Sequence, residues 1–146
     1  MKRNDMKQAA ADAFPLKEET FRIIGACFEA YNEKGCAFTE PIYQECLEIE
    51  FGLQQIPAVP KGPLPIYYKG RLLRKAFEPD FICFEQVILE IKAVSALTDE
   101  HRAQVINYLQ ATGLEVGLLV NFGHHPQLQY ERLIHQRQKL IPATRL

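Results

Sequence analysis

Apolar residues recur along this chain with two different periods, and the points where the period changes divide it into elements. In "LKEETFRIIGACFEAYNEKG" Phe21, Ile24, Cys27, Phe28 and Tyr31 fall at helical spacing, and Gly35 stands where such a helix would end. "EPIYQECLEIEFGLQQ" follows, with Ile42, Cys46, Ile49 and Leu53 in one stripe and Pro41 where a first helical turn tolerates it, so a second helix is expected to start close to Glu40. "IPAVPKGPLPIYYKG" carries Pro57, Pro60, Pro63 and Pro65, which forbid a central strand but permit an extended edge strand leading to a Lys69-Gly70 turn. "RKAFEPDFIC" and "QVILEIKAV" read as two strands joined by a short connection around Phe84 to Gln86. "TDEHRAQVINYLQATG" is a third helix: Thr98 is its N-cap, acids fill its first turn, Val105, Ile106 and Leu109 form its apolar face, and Gly113 stops it. "LEVGLLVNFG" suits a buried strand and "LQYERLI" a last one, giving the order α-α-β-β-β-α-β-β.

The chain has 146 residues and 47% hydrophobic content, which suits one domain with a proper core and indicates neither disorder nor a membrane span. "MKRNDMKQAAADAFP" has no continuous apolar segment, so a cleaved secretory signal is not expected. Residues 1–15 read as a loose tail, 16–140 as the domain and 141–146 as a second tail. Cys27, Cys36, Cys46 and Cys83 form no CxxC pair, and the first three lie within or beside apolar helical patterns. Reduced, mostly buried thiols and a cytoplasmic location follow as expectations.

A formal net charge of -1 gives no global pull toward nucleic acid. The basic residues are nonetheless clustered: "YYKGRLLRKAF" holds Lys69, Arg71, Arg74 and Lys75 with Tyr67, Tyr68 and Phe77 nearby. Such a cluster is either a solvated hairpin tip or a phosphate-contacting edge.

One stretch does not fit a buried strand. "EPDFICFEQVILEIKAV" sets Asp80, Glu90 and Lys92 where a strand packed on both faces excludes charge. Asp80 and Glu90 are equidistant from position 85, so a tight turn there would place them opposite each other. Alternation puts Glu90 and Lys92 on one face and leaves Leu89, Ile91 and Ala93 for the core. Two close carboxylates repel and lose solvation unless a cation or a proton compensates, and hard oxygen ligands suit magnesium or manganese. Lys92 could then position a water or an oxyanion. From the hairpin alone, a structural ion pair of Lys92 with Glu90 or Asp80 stands equally open.

Pro79-Asp80 followed by Glu90-Ile91-Lys92 resembles the PD-(D/E)XK nuclease superfamily, whose signature is an Asp on one strand and an (Asp/Glu)-x-Lys on the next. More narrowly the chain is similar to the bacterial GxxExxY group, from about residue 18 to about 134, through "EPIYQECLEIE", "PLPIYYKGRLL", "PDFICFEQVILEIKAV", "HRAQVINYLQATGLEVGLLVNFG" and "ERLI". The resemblance implies an α/β, restriction-endonuclease-like core in which helices flank a central mixed β-sheet. It also implies hydrolysis of phosphodiester bonds in nucleic acid, DNA or RNA, with magnesium or manganese as cofactor and no membrane. By resemblance, Asp80 and Glu90 are metal-binding acids, Ile91 offers its backbone carbonyl, Glu40 completes the metal site, and Lys92 is the catalytic lysine assisting attack of water on phosphorus. Gln104 matches a glutamine near the active site of related nucleases, accompanied in this group by His101 and Tyr108. The window "AFTEPIY" departs from the motif with Ala37 in place of Gly and Pro41 after Glu40, which bears on the backbone there.

Taken singly, His101 could equally cap its helix, and Tyr43, one turn after Glu40, could bond a site carboxylate or pack. His124 and His125 read as exposed loop residues. The other class of function compatible with these residues is a non-catalytic module that keeps the nuclease-like fold to bind nucleic acid or protein.

Overall fold

Two helices, α1 (Lys17–Lys34) and α2 (Glu40–Leu53), open the computed structural model, which describes residues 14–135. The tails expected at 1–15 and 141–146 fall, but for Phe14 and Pro15, outside the described residues. Gly35 ends α1 at φ 73°, and α2 starts at Glu40 behind an extended Thr39, with Pro41 in its first turn. The departures at Ala37 and Pro41 leave the start of the helix intact.

Helix α1 buries most of the face expected of it, with Cys27 and Tyr31 in the core and Ile24 and Phe28 packed against it, whereas α2 buries a different one. Helix α1 buries Thr20, Ile23, Ala26, Cys27, Ala30 and Tyr31, while Phe21 is 76% exposed. Helix α2 buries Tyr43, Leu47 and Phe51 and turns Ile49 and Leu53 to solvent. Apolar residues lie on more than one stripe of each helix, and packing selects between them. The chosen face of α2 carries its aromatic rings: Tyr43 stacks on Phe122 at 4.4 Å, and Phe51 meets Phe81 edge-on at 5.0 Å. In α1, Ala26 and Ala30 belong to the core beneath, where small residues permit close approach.

The strands are β1 (Ala58–Pro60), β2 (Tyr67–Tyr68), β3 (Arg71–Leu72), β4 (Phe81–Cys83) and β5 (Val87–Lys92), then helix α3 (Asp99–Thr112), β6 (Val116–Asn121) and β7 (Gln129–Ile134). Five of them form one mixed sheet in the order β1-β4-β5-β6-β7, with only β5 and β6 parallel. Leu89 and Ile91 join the core under α1 and α2, whereas Ile88 and Leu119 pack with Val105 and Leu109 of α3 on the opposite face.

The pairs differ from expectation between the second and third helices. Strands β2 and β3 form a separate ladder around the Lys69-Gly70 turn, and "RKAFEPDFIC" is a strand only over Phe81–Cys83. Ahead of it Phe77 makes a single bridge with Leu64, and Pro79 has no N–H to extend a ladder. Five strands, not three, therefore precede α3.

Helix α3 matches its signals. Thr98 Oγ1 accepts from His101 N at 3.4 Å, His101 Nδ1 accepts from Thr98 N at 3.1 Å, and Gly113 closes the helix at φ 76°. Among the described residues no helix is long and apolar enough to cross a membrane. Cys27 and Cys83 are buried, Cys36 and Cys46 partly so, and all four are free thiols.

The β4–β5 turn is built from unusual residues. Phe84 and Glu85 both have positive φ, 55° and 58°, and Gln86 N donates to Cys83 O at 3.1 Å, a mirror-image turn whose twist matches the strands. Phe84 is retained by its contact with the Arg22 guanidinium, 5.3 Å from the ring centre, but the Glu85 side chain is exposed. Glu85→Gly is therefore expected to stabilise the protein by about 0.5–1 kcal/mol, because glycine takes this conformation without the steric cost. A melting temperature lowered by that substitution would show the turn to be otherwise.

Candidate metal centre

Strand register assembles the charges. Phe81 pairs with Leu89 and Cys83 with Val87, so the two residues that continue the ladder at its open end are Asp80 and Glu90. The equal spacing from position 85 anticipated this. The neighbouring pair extends the row: Pro60 pairs with Phe81, and Lys61 N donates to Asp80 O at 3.2 Å. Lys61, Asp80 and Glu90 thus lie side by side across three strand ends.

Each carboxylate is engaged. Asp80 Oδ2 accepts from Ile91 N at 2.8 Å, Asp80 Oδ1 is ion-paired with Lys61 Nζ, and Glu90 Oε1 accepts from Asp80 N at 3.1 Å. Asp80 is 9% and Glu90 7% exposed. Burial first, and then the Asp80 charge, push the Glu90 carboxyl up to about 8. The Lys61 ammonium is held above its ordinary range, chiefly by its hydrogen bond to Asp80.

Helix α2 supplies the next wall. Glu40, in its first turn, accepts from Ala93 N at 3.3 Å, just past the end of β5. One turn on, Gln44 Nε2 donates to Asp80 O at 3.1 Å, and Gln44 Oε1 is buried with no hydrogen-bond partner. A cleft of about 410 Å³ lies between this helix and the strand ends, lined by Glu40, Gln44, Lys61, Asp80 and Ile91 among others. Tyr43 is directed away from it: fully buried, it donates to Gly35 O at 2.5 Å and accepts from Phe38 N, so it bonds no site carboxylate.

On the sheet face toward α3, Glu90 continues the row begun by Ile88, and Lys92 follows, partly buried. Lys92 makes no ion pair among the described residues: of the two acids that a structural bridge would offer it, Asp80 is ion-paired with Lys61, and Glu90 is ion-paired with no side chain. Gln104 Nε2 donates to Tyr108 Oη at 2.6 Å, and the Tyr108 ring stacks on Phe77. Burial and then the Glu90 charge raise the Tyr108 phenol above its usual range, which sets this pair beside the acids. His101 spends Nδ1 on the cap of α3. Lys69, Arg71, Arg74 and Lys75 are all exposed on and after the β2–β3 hairpin and form no ion pair among the described residues. His125 is exposed as expected, but His124 is partly buried, its Nδ1 2.7 Å from Gln127 O.

Three contributors went unnoticed in the sequence. Lys61 was recoverable from register, since it continues the β1–β4 ladder opposite Asp80. Gln44 stands four residues after Glu40 on the same helix face. Asn121 is fully buried and clamps the exit from β5: Oδ1 accepts from Val94 N and Gly123 N, both at 3.0 Å, while Nδ2 donates to Val94 O at 2.9 Å. A side chain at Gly123 would collide with the Val94 backbone, 2.5 Å from the added carbon, so the turn past Lys92 is fixed from both sides.

The donors at this sheet end are oxygens: the Asp80, Glu90 and Glu40 carboxylates, the Ile91 backbone and the orphaned Gln44 Oε1. That set fits magnesium or manganese rather than a softer ion. As the side chains stand, no three acidic, His or Cys groups among the described residues are gathered closely enough to hold an ion. The carboxylates are turned onto backbone N–H groups and Lys61.

The five-stranded mixed sheet with helices on both faces is the restriction-endonuclease-like α/β fold. Among solved structures, the crystal structure of SSO0001 superposes with a TM-score of 0.50 at 19% sequence identity, covering 67% of this chain and 51% of that one. The chain thus spans about half the length of that protein, and the likeness is one of fold. No curated protein matches. The family model described as the PD-(D/E)XK nuclease superfamily matches residues 17–133, from the first helix into the last strand, and so takes in every residue of the row and both walls of the cleft. On that match, the chain belongs to the PD-(D/E)XK nuclease superfamily.

Proposed function

We propose that this protein is a metal-dependent nuclease of the GxxExxY group that hydrolyses phosphodiester bonds of nucleic acid. The observation that carries the reading is the pair of buried acids, Asp80 and Glu90, brought abreast at a sheet end two residues before Lys92. Asp80, Glu90, the Ile91 carbonyl and Glu40 would hold magnesium or manganese, which supplies Lewis-acid polarisation of the phosphate and a more acidic water. Lys92, whose ammonium lies close enough to Glu90 to favour its ionised form, would orient the attacking water and offset charge as the new P–O bond forms and the ester bond breaks. Gln104 would hold Tyr108 in place beside the acids, with the phenol proton available to a further acceptor. Lys69, Arg71, Arg74 and Lys75 would take backbone phosphates.

The test is incubation of the protein with single- and double-stranded DNA and RNA in magnesium or manganese. Cleavage is expected, and it should disappear in Asp80→Ala; turnover unchanged by that substitution would sink the assignment. A non-catalytic binding module on the same fold is the second reading. Its support is that every site carboxylate already has a partner, and failure of millimolar manganese to bind in calorimetry would favour it.

A further inference from the structure

We propose that Lys61 is a tethered counter-ion that stands at Asp80 until a metal ion displaces it, so that loading the centre and releasing Lys61 are a single exchange. This rests on the metal-centre reading above. Lys61 sits on the edge of the sheet, held by its own backbone N–H against Asp80 O, and its ammonium takes the one carboxylate oxygen that Ile91 N leaves over. With one partner on each oxygen of Asp80, a metal ion that takes up Oδ1 meets the Lys61 ammonium already there.

The surroundings favour exchange over a permanent bridge. The cleft is lined by four carboxylates, Glu40, Glu45, Glu48 and Asp80, and Lys61 is the sole cation among its lining residues. A divalent ion offsets such a field better than one ammonium does. The Lys61 side chain is 53% exposed, so water can take over its solvation as soon as it leaves, whereas the Asp80 side chain, at 12%, cannot be left without a positive partner. The pair is therefore weak in exactly one direction: the lysine departs at small cost, the aspartate does not give up a cation.

Manganese titration calorimetry on the full chain at one fixed pH tests this, with Lys61→Met, Lys61→Gln, Lys61→Arg and Lys17→Met beside wild type. Removing a partly exposed competitor should tighten manganese binding by roughly three- to tenfold in Lys61→Met and Lys61→Gln. Lys61→Arg, which keeps the counter-ion, should bind no tighter than wild type. Lys17→Met removes an equal charge from the exposed start of α1 and should leave affinity unchanged. Two independent neutral replacements guard against one that folds poorly. If wild type binds and neither neutral variant binds more tightly, or if Lys17→Met tightens binding as much, the exchange is wrong while the metal centre stands. If no form binds manganese, the metal centre itself is wrong and the exchange falls with it.

Discussion

Lys92→Met protein should fold, melt within a few degrees of wild type and still bind manganese, while its cleavage of nucleic acid falls by about 10²- to 10⁴-fold, the range for loss of a positioned proton-handling or charge-stabilising group. The stability half of this follows from the contacts. Lys92 is only partly buried and has no ion-pair partner among the described residues, because Asp80 is served by Lys61. Its charge favours ionised Glu90, yet Glu90 can take up a proton when that charge is gone, since its carboxyl already titrates at about 8. Breaking a true buried bridge would instead cost about 3–5 kcal/mol by stranding a charge. Melting and turnover measured on one preparation separate the two cases. A large fall in stability with cleavage retained would make Lys92 a structural residue.

Glu90→Gln should raise stability at alkaline pH and abolish turnover. In the metal-free protein the Glu90 carboxyl is raised from an ordinary 4.5 to about 8 by burial and by Asp80. The folded state therefore holds this proton more tightly than the unfolded one. The resulting stabilisation is fully present below about pH 4.5 and is lost as pH rises through about 8, on the order of a few kcal/mol in all. The isosteric amide carries no charge at any pH, retains an oxygen to accept from Asp80 N, and removes that slope. Melting curves between about pH 5 and about pH 9 should converge at the acid end and favour the variant at the alkaline end. Manganese, which binds only the ionised acid, should restore the wild type most where the proton is already gone, and should do little for the variant. Parallel pH profiles for the two proteins would remove Glu90 as the source of the dependence.

How far the sequence discloses this molecule differs from element to element. Helix α3 was legible to the residue because Thr98 and Gly113 are local signals that tertiary packing has no reason to override. The opposition of Asp80 and Glu90 was legible because one turn sets the register of one hairpin. The face of α2 was not, since Ile49 and Leu53 compete with Leu47 and Phe51 on equal terms until the sheet beneath selects between them. Lys61 was hidden for a different reason. Four prolines mark "IPAVPKGPLP" as edge or turn without fixing which residue meets Asp80, and a single step of register would turn its side chain to the other face. The small β2–β3 ladder was anticipated as an edge strand turning at Lys69-Gly70 but not as a separate sheet, because nothing local says that its strands leave the main one.

The two sides of the row are held very differently. Glu90 lies within six consecutive residues paired along the parallel β5–β6 ladder, whereas Lys61 hangs from an edge strand with three paired residues. Such an edge opens by local fraying far more readily than a central ladder, which opens only with the whole domain. Glu90 is thus fixed to the part of the protein that unfolds last and Lys61 to the part that loosens first. Breathing of β1 alone would uncover Asp80, on the roughly microsecond-to-second scale of local unfolding, without disturbing the β5–β6 pairing of Glu90, Ile91 or Lys92.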